Sequence, residues 1–175
     1  MAESKTLVRR TGKPSLAAIN ALTHDDRVWM AGFFDGEGSA GLYRKFKNGA
    51  FYSVTTRINV SQTGNEMLAL FFEAFGGALT LIDRPDRKES KHTQYWTWTC
   101  DATVSASLFL QTVQPFLRVK GAEADLMLEF FNNMHTYTLE QKGMLIDRLA
   151  TLKQRVATHI LGERRDQLRS MTEGG

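Results

Sequence analysis

The stretch Trp29-Met30-Ala31-Gly32-Phe33-Phe34-Asp35-Gly36-Glu37-Gly38-Ser39 decides how this chain is read. Gly32 and Gly36 are four residues apart, so a helix sets them on one face. Two small residues at that spacing let a second backbone approach closely. Glycine inside a helix costs about 1 kcal/mol against alanine, so the pair needs such a reason. The helix then ends on a carboxylate, Glu37, between two glycines. Negative charge at a helix C-terminus is disfavoured by the dipole, and a bound cation would remove that penalty. A glycine-rich turn with a solvated Glu37 is the plainer reading of DGEG taken alone. The helix, its small-residue face and the hairpin that follows argue together against it.

Working outward, the helix start is marked by Thr23 as N-cap, with Asp26 three residues on and Asp25 and Asp26 at the positive end of the dipole. Downstream the period changes to two. Ala40, Leu42 and Phe46 share one parity, broken by Arg44, while Gly41, Tyr43, Lys45 and Lys47 take the other. Asn48-Gly49 is a strong hairpin signal. The return strand puts Val54, Thr56, Ile58 and Val60 on one face and Ser53, Thr55, Arg57 and Asn59 on the other. This pattern predicts a half-buried antiparallel sheet. Met67 to Phe75 reads as a helix stopped by Gly76-Gly77, followed by a second hairpin with strands near 79–84 and 93–101. Trp96, Trp98 and Cys100 share one face of its second strand, and Tyr95, Thr97 and Thr99 the other. The register over 79–84 is left open. Helices near 103–114 and 120–134 flank Pro115. Leu145, Leu149, Leu152 and Val156 step by 4, 3 and 4 along a C-terminal amphipathic helix.

The order α, ββ, α, ββ, α, α predicts an α+β domain with helices on one face of an antiparallel sheet. Residues 1–22 are expected to be a loose arm, with or without a short helix. The core is expected over 23–135, a helical extension over 136–170 and a frayed tail over 171–175. With 175 residues the chain has room for one core. Lys plus Arg exceeds Asp plus Glu by 22 to 19, a mild +3 that permits a nucleic-acid partner without requiring one. The longest apolar run, Met67 to Phe72, is far below the roughly 20 residues of a membrane span, so no membrane association is expected. A lone cysteine excludes an intrachain disulfide and a zinc site built from several cysteines of one chain. With no secretory signal in the sequence, an intracellular, reducing location is expected, with bacterial cytoplasm and organelle both open.

The nine residues Met30 to Gly38 resemble the signature of the LAGLIDADG homing endonucleases. The element order matches that family's αββαββα core, with its saddle-shaped antiparallel sheet, over about residues 24 to 135. Val113-Gln114-Pro115-Phe116-Leu117-Arg118-Val119-Lys120 is similar to the QPFLxxK segment of single-motif members, and Asn59-Val60-Ser61-Gln62-Thr63 to the end of their second strand. The resemblance implies a homodimeric, site-specific double-strand DNA endonuclease of the intron-homing kind, dependent on Mg²⁺, with Mn²⁺ as a substitute. It implies Glu37 as metal ligand in place of the commoner Asp, with the carbonyl of Gly36 contributing. It also implies Gln62 as the water-ordering residue and Lys120 as the active-site lysine. An arginine that some members carry four residues after that glutamine is absent, and Glu66 stands there. This departure keeps open a non-cleaving DNA- or RNA-binding protein on the same scaffold, such as an intron maturase.

Hydrolysis of a phosphodiester needs an activated water and a stabilised leaving oxygen. Divalent metals serve both, hard oxygen ligands such as Glu37 suit Mg²⁺, and Lys120 would neutralise charge on the phosphate. The single motif predicts a C2 homodimer, with Gly32 and Gly36 at its interface and one Glu37 for each strand of a near-palindromic site. Base reading is expected from Tyr43, Lys45, Ser53, Thr55, Arg57, Asn59, Thr97 and Thr99 on the polar strand face. Lys47, Arg84, Arg87, Lys88 and Lys91 are expected on phosphate. Pro85-Asp86 with Glu89-Ser90-Lys91 imitates a PD-(D/E)xK nuclease pattern, but its groups share one turn. The histidines show no metal-ligand spacing. Cys100 reads as a core thiol.

Overall fold

The computed structural model describes residues 5–83 and 94–154. In chain order the elements are β1 (Lys5–Gly12), α1 (Leu16–Ala21), α2 (His24–Glu37), β2 (Gly38–Lys47), β3 (Ala50–Gln62), α3 (Glu66–Phe75), β4 (Gly77–Asp83), β5 (Gln94–Cys100), α4 (Thr103–Val113), a 3₁₀ turn over Gln114–Phe116, and α5 (Gly121–Asn133). A sixth helix, α6, runs from 139 to 154. The five strands form one antiparallel sheet in the order β1-β4-β5-β3-β2. The expected α+β architecture is therefore the observed one, enlarged by a strand.

Each element follows from its residues. α2 opens with a full capping box: Thr23 Oγ1 accepts from the Asp26 N–H at 3.1 Å, and Asp26 Oδ2 accepts from the Thr23 N–H at 2.8 Å. Asn48 and Gly49 both adopt positive φ, 50° and 78°, which closes the β2–β3 hairpin as the Asn-Gly pair requires. The alternation decides which face is buried. Ala40, Leu42, Ile58, Val60, Leu79, Trp98 and Cys100 point into the core, where Met30, Ala31, Phe34, Phe71, Phe75 and Phe109 from the helices meet them. Aromatic contacts bind this layer, with Phe109 within 5.1–5.6 Å of Phe34, Phe71, Phe75 and Trp98. Burial pushes the Cys100 thiol up to about 12, consistent with an inert core cysteine.

Residues 5–22 depart from the loose-arm expectation, and residues 1–4 lie outside the described residues. Residues 5–12 pair with β4 from Lys5↔Asp83 to Gly12↔Gly77 and form the outer edge of the sheet. A register shift between Thr6 and Val8 breaks the period of two. Leu7 and Val8 are both exposed, so the sequence lacks the alternation that marks a half-buried strand. After β1, Ser15 caps α1, and Ile19 and Leu22 enter the core.

A second departure is in β2. Phe46 is 61% exposed, because the register shifts between Lys45 and Phe46. Arg44, the apparent break in the apolar parity, is covered by α6. Its Nη2 donates to Asp147 at 2.7 Å and to the Gly143 carbonyl at 3.1 Å, and the guanidinium lies over the Phe51 ring. Leu145 and Leu149 of α6 are buried as the spacing predicted and Leu152 is half-buried; Val156 lies outside the described residues. No helix among the described residues is long and apolar enough to cross a membrane.

Candidate active site

Helix α2 passes directly into β2, so Glu37 sits at the joint between helix end and sheet. The last four carbonyls of a helix have no intrahelical partner. Here Phe34 O accepts from the Gly38 N–H, and Asp35 O accepts from Lys120 Nζ. Gly36 comes next in that run, beside the exposed Glu37 carboxylate. Gly38 allows the close turn, since a Cβ there would lie 2.0 Å from the Phe34 ring.

Asp35, the first acid of the motif, fastens the loop that carries Lys120. Its carboxylate accepts the backbone N–H groups of Arg118 at 2.7 Å, Val119 at 3.1 Å and Lys120 at 2.8 Å. These are charge-assisted bonds to a single group. They hold the QPFL turn against the end of α2, so two distant parts of the sequence meet at one point. The Gln114 side chain braces the same turn by donating to Asp125 at 2.8 Å. Partial burial lowers the Lys120 amine from its ordinary value, opposed by the carboxylates of Asp35, Glu123 and Glu37 and assisted by Lys153. Behind it Glu123 is buried, which raises its carboxyl, while Lys153 of α6 stands 4.0 Å away and donates to the Ala40 carbonyl.

Glu37 and Gln62 line one cavity of about 670 Å³, together with Asn59, Ser61, Thr63 and Thr97. The Gln62 Oε1 is buried and has no hydrogen-bond donor among the described residues. The three residues implied for chemistry are thus gathered around the C-terminal end of α2, Glu37 and Gln62 in the cavity and Lys120 on the adjoining carbonyl. Among the described residues no three His, Cys, Asp or Glu side chains cluster as a metal site. Among the described residues the cavity offers one carboxylate, Glu37, beside the carbonyl oxygens of the helix end, all hard donors. Such a set fits Mg²⁺, which keeps several waters and shares its coordination with substrate phosphates.

The polar face of the sheet is continuous with this cavity. Across it run the rows Lys45–Ser53, Tyr43–Thr55 and Gly41–Arg57, then Ser39–Asn59–Thr99–Ala78–Thr11 and Ser61–Thr97–Thr80–Arg9. Tyr43, Arg57, Asn59, Thr97 and Thr99 line a depression of about 750 Å³ on this face. Lys45, Lys47, Ser53 and Thr55 lie farther out along the first hairpin. Arg84, Arg87, Lys88 and Lys91 lie outside the described residues, as does the PD-(D/E)xK imitation. Gly32 and Gly36 are exposed, and a Cβ at either would meet nothing within 4 Å.

Three features escaped the sequence reading. Arg57 is held by Asp101, Nε to Oδ1 at 3.1 Å and Nη2 to Oδ2 at 3.3 Å, and that partner raises its already high pKa. Arg9, Thr11 and Thr80 line the same depression. Asp35 positions Lys120. Pairings 44 and 85 residues apart leave no local pattern, but the parity of β4 would have placed Thr80 once its register was fixed.

No protein-family model and no curated protein matches the chain. Solved structures do. The homing endonuclease I-CvuI in complex with the I-CreI target is 20% identical over 72% of this chain and 80% of that one, with a TM-score of 0.54. I-CvuI with its own target is 17% identical over 79% and 85%, with a TM-score of 0.56. The LAGLIDADG homing endonuclease I-GzeII in complex with DNA target is 12% identical over 72% of this chain and 43% of that one, with a TM-score of 0.52. At these identities the likeness concerns the backbone, and it agrees with the helix–hairpin order read from the motif: the chain has the fold of the LAGLIDADG homing endonucleases.

Proposed function

We propose that the protein is a site-specific DNA endonuclease that hydrolyses one phosphodiester in each strand of a long, near-palindromic duplex, acting as a Mg²⁺-dependent homodimer. The observation that carries this reading is the shared cavity of Glu37 and Gln62 at the edge of a polar sheet face, with Lys120 fixed to the same helix end. The similar I-CvuI structures hold DNA in the presence of Mg or Ca.

Glu37 and the Gly36 carbonyl would hold the ion. When bound, the divalent ion supplies Lewis acidity toward the phosphate and lowers the pKa of its water. The remaining work belongs to the chain. Among the described residues the buried Gln62 Oε1 has no donor, so it can accept from the attacking water and aim it. The Lys120 ammonium offers positive charge to the phosphate, and its partial burial makes that charge more effective than in water. The polar rows of β3 and β5 fit the major groove, which admits a two-stranded ribbon. One Glu37 per chain calls for a second chain to cut the second strand. The open Gly32/Gly36 face, with Val28 43% exposed one turn earlier, provides the surface for close two-fold packing.

One observation favours the non-cleaving alternative. Glu66 begins α3 as an exposed acid where some relatives carry an arginine, so one cation is missing from the charge-stabilising set. The test is to incubate the protein with a library of candidate insertion sites. Double-strand breaks that require Mg²⁺ and stop on chelation support the nuclease. Tight binding with no break under any divalent ion would replace it with the binding protein.

A further inference from the structure

We infer that β1 is a DNA-backbone clamp, with Arg9 contacting a phosphate at the wall of the major groove. The inference rests on the DNA reading above and goes beyond it, since the four-stranded core read from the sequence contains no such strand. Pairing fixes where Arg9 points. It lies opposite Thr80 in the row that continues through Thr97 to Ser61, so it shares the face that opens on the depression. Arg10 falls on the other side, opposite Leu79, with its guanidinium 5.5 Å from the Phe72 ring centroid.

Charge supports the assignment. Of the two guanidinium groups lining the depression, Arg57 is neutralised by Asp101. Arg9 makes no ion pair with any described residue and is exposed. Of these two, Arg9 is therefore the one that can take up a phosphate without first giving up a protein partner.

Distance decides between base and backbone. Strands lie about 4.8 Å apart, so β1 is about 10 Å from β5 and about 14 Å from β3. The major groove is about 12 Å wide. With β3 and β5 seated in the groove, β1 falls beyond its half-width, over the sugar-phosphate wall. A phosphate contact adds affinity and fixes register while leaving the sequence preference unchanged.

The experiment measures binding of the full chain to a random-sequence duplex about three helical turns long, by fluorescence anisotropy between about 50 and 200 mM salt. For each phosphate a cation neutralises, log K falls with log salt by about 0.9. Arg9→Ala is expected to flatten the slope by about 0.9 for each copy of Arg9 in the complex, with the circular dichroism spectrum unchanged. Arg9→Lys is expected to keep the wild-type slope, and Arg10→Ala, on the opposite face, to leave it unaltered. An Arg9→Ala slope equal to wild type overturns the clamp while leaving the DNA reading intact. A wild-type protein that binds the duplex without salt dependence overturns both.

Discussion

Asp35 and Glu37 stand two residues apart in one motif and do different work. Asp35 gathers three N–H groups, while Glu37 faces the cavity. Hydrogen bonds to a charged group contribute about 1.5–3 kcal/mol each, and loss of such a partner is partly offset where water can enter. Asp35→Ala is therefore expected to lower unfolding stability by about 2–3 kcal/mol in denaturant melts, and to reduce any cleavage by releasing Lys120. Unchanged stability would contradict the fastening role. Acid lability should also appear at this scale. Hydrogen bonds from Thr23 hold Asp26 below its ordinary value, and Arg44 does the same for Asp147. A carboxyl depressed in the folded state adds stability that is fully present above the unfolded value and lost as pH falls through the folded one. Thermal melts should show a decline below pH 3.8, the ordinary value of both groups. The deficit of Thr23→Ala relative to wild type should shrink over the same range. A deficit constant with pH would contradict the assignment. Asp35 was legible as a motif letter only, since its partners lie 83 to 85 residues away.

Between elements, the glycines ending α3 set how the N-terminal segment docks. Gly76 has φ 65°, and a Cβ there would lie 2.4 Å from Lys13 C and 2.6 Å from Gly12 O. Its carbonyl accepts from the buried Trp98 Nε1 at 2.7 Å. Gly76→Ala is expected to cost about 1–3 kcal/mol in backbone strain, plus the displacement of β1 and α1. Denaturant unfolding together with hydrogen exchange along β1 would measure it; a stability loss with full protection retained in β1 would show that the strand docks independently of this turn. Elements with a clean period were legible. The parity of β3 and the Asn-Gly turn placed the two faces of the first hairpin as far as Lys45 of β2. β1 escaped because its register shift and exposed Leu7 and Val8 erase the alternation. The C-terminal end of β2 misled because Phe46 follows a register shift.

For the whole molecule, the fold follows from one helix, two hairpins and the helices that cover one face of their sheet. The helical order of the motif and the two periods of two were sufficient to anticipate that architecture. The gathering of Glu37, Gln62 and Lys120 is tertiary, and only the family resemblance brought those three letters together in advance. On the proposed function, one cavity-facing carboxylate per chain, Glu37, calls for two chains on the duplex. Light scattering of the protein on duplex DNA should give two chains per complex; a monomer on its target would contradict the shared site. The most direct measurement sets wild type beside Glu37→Gln in Mg²⁺ on the same library of candidate insertion sites. Wild type is expected to break both strands of a selected site, while Glu37→Gln binds it with similar affinity and leaves it intact. Equal cutting by both proteins would contradict the role of Glu37 as metal ligand.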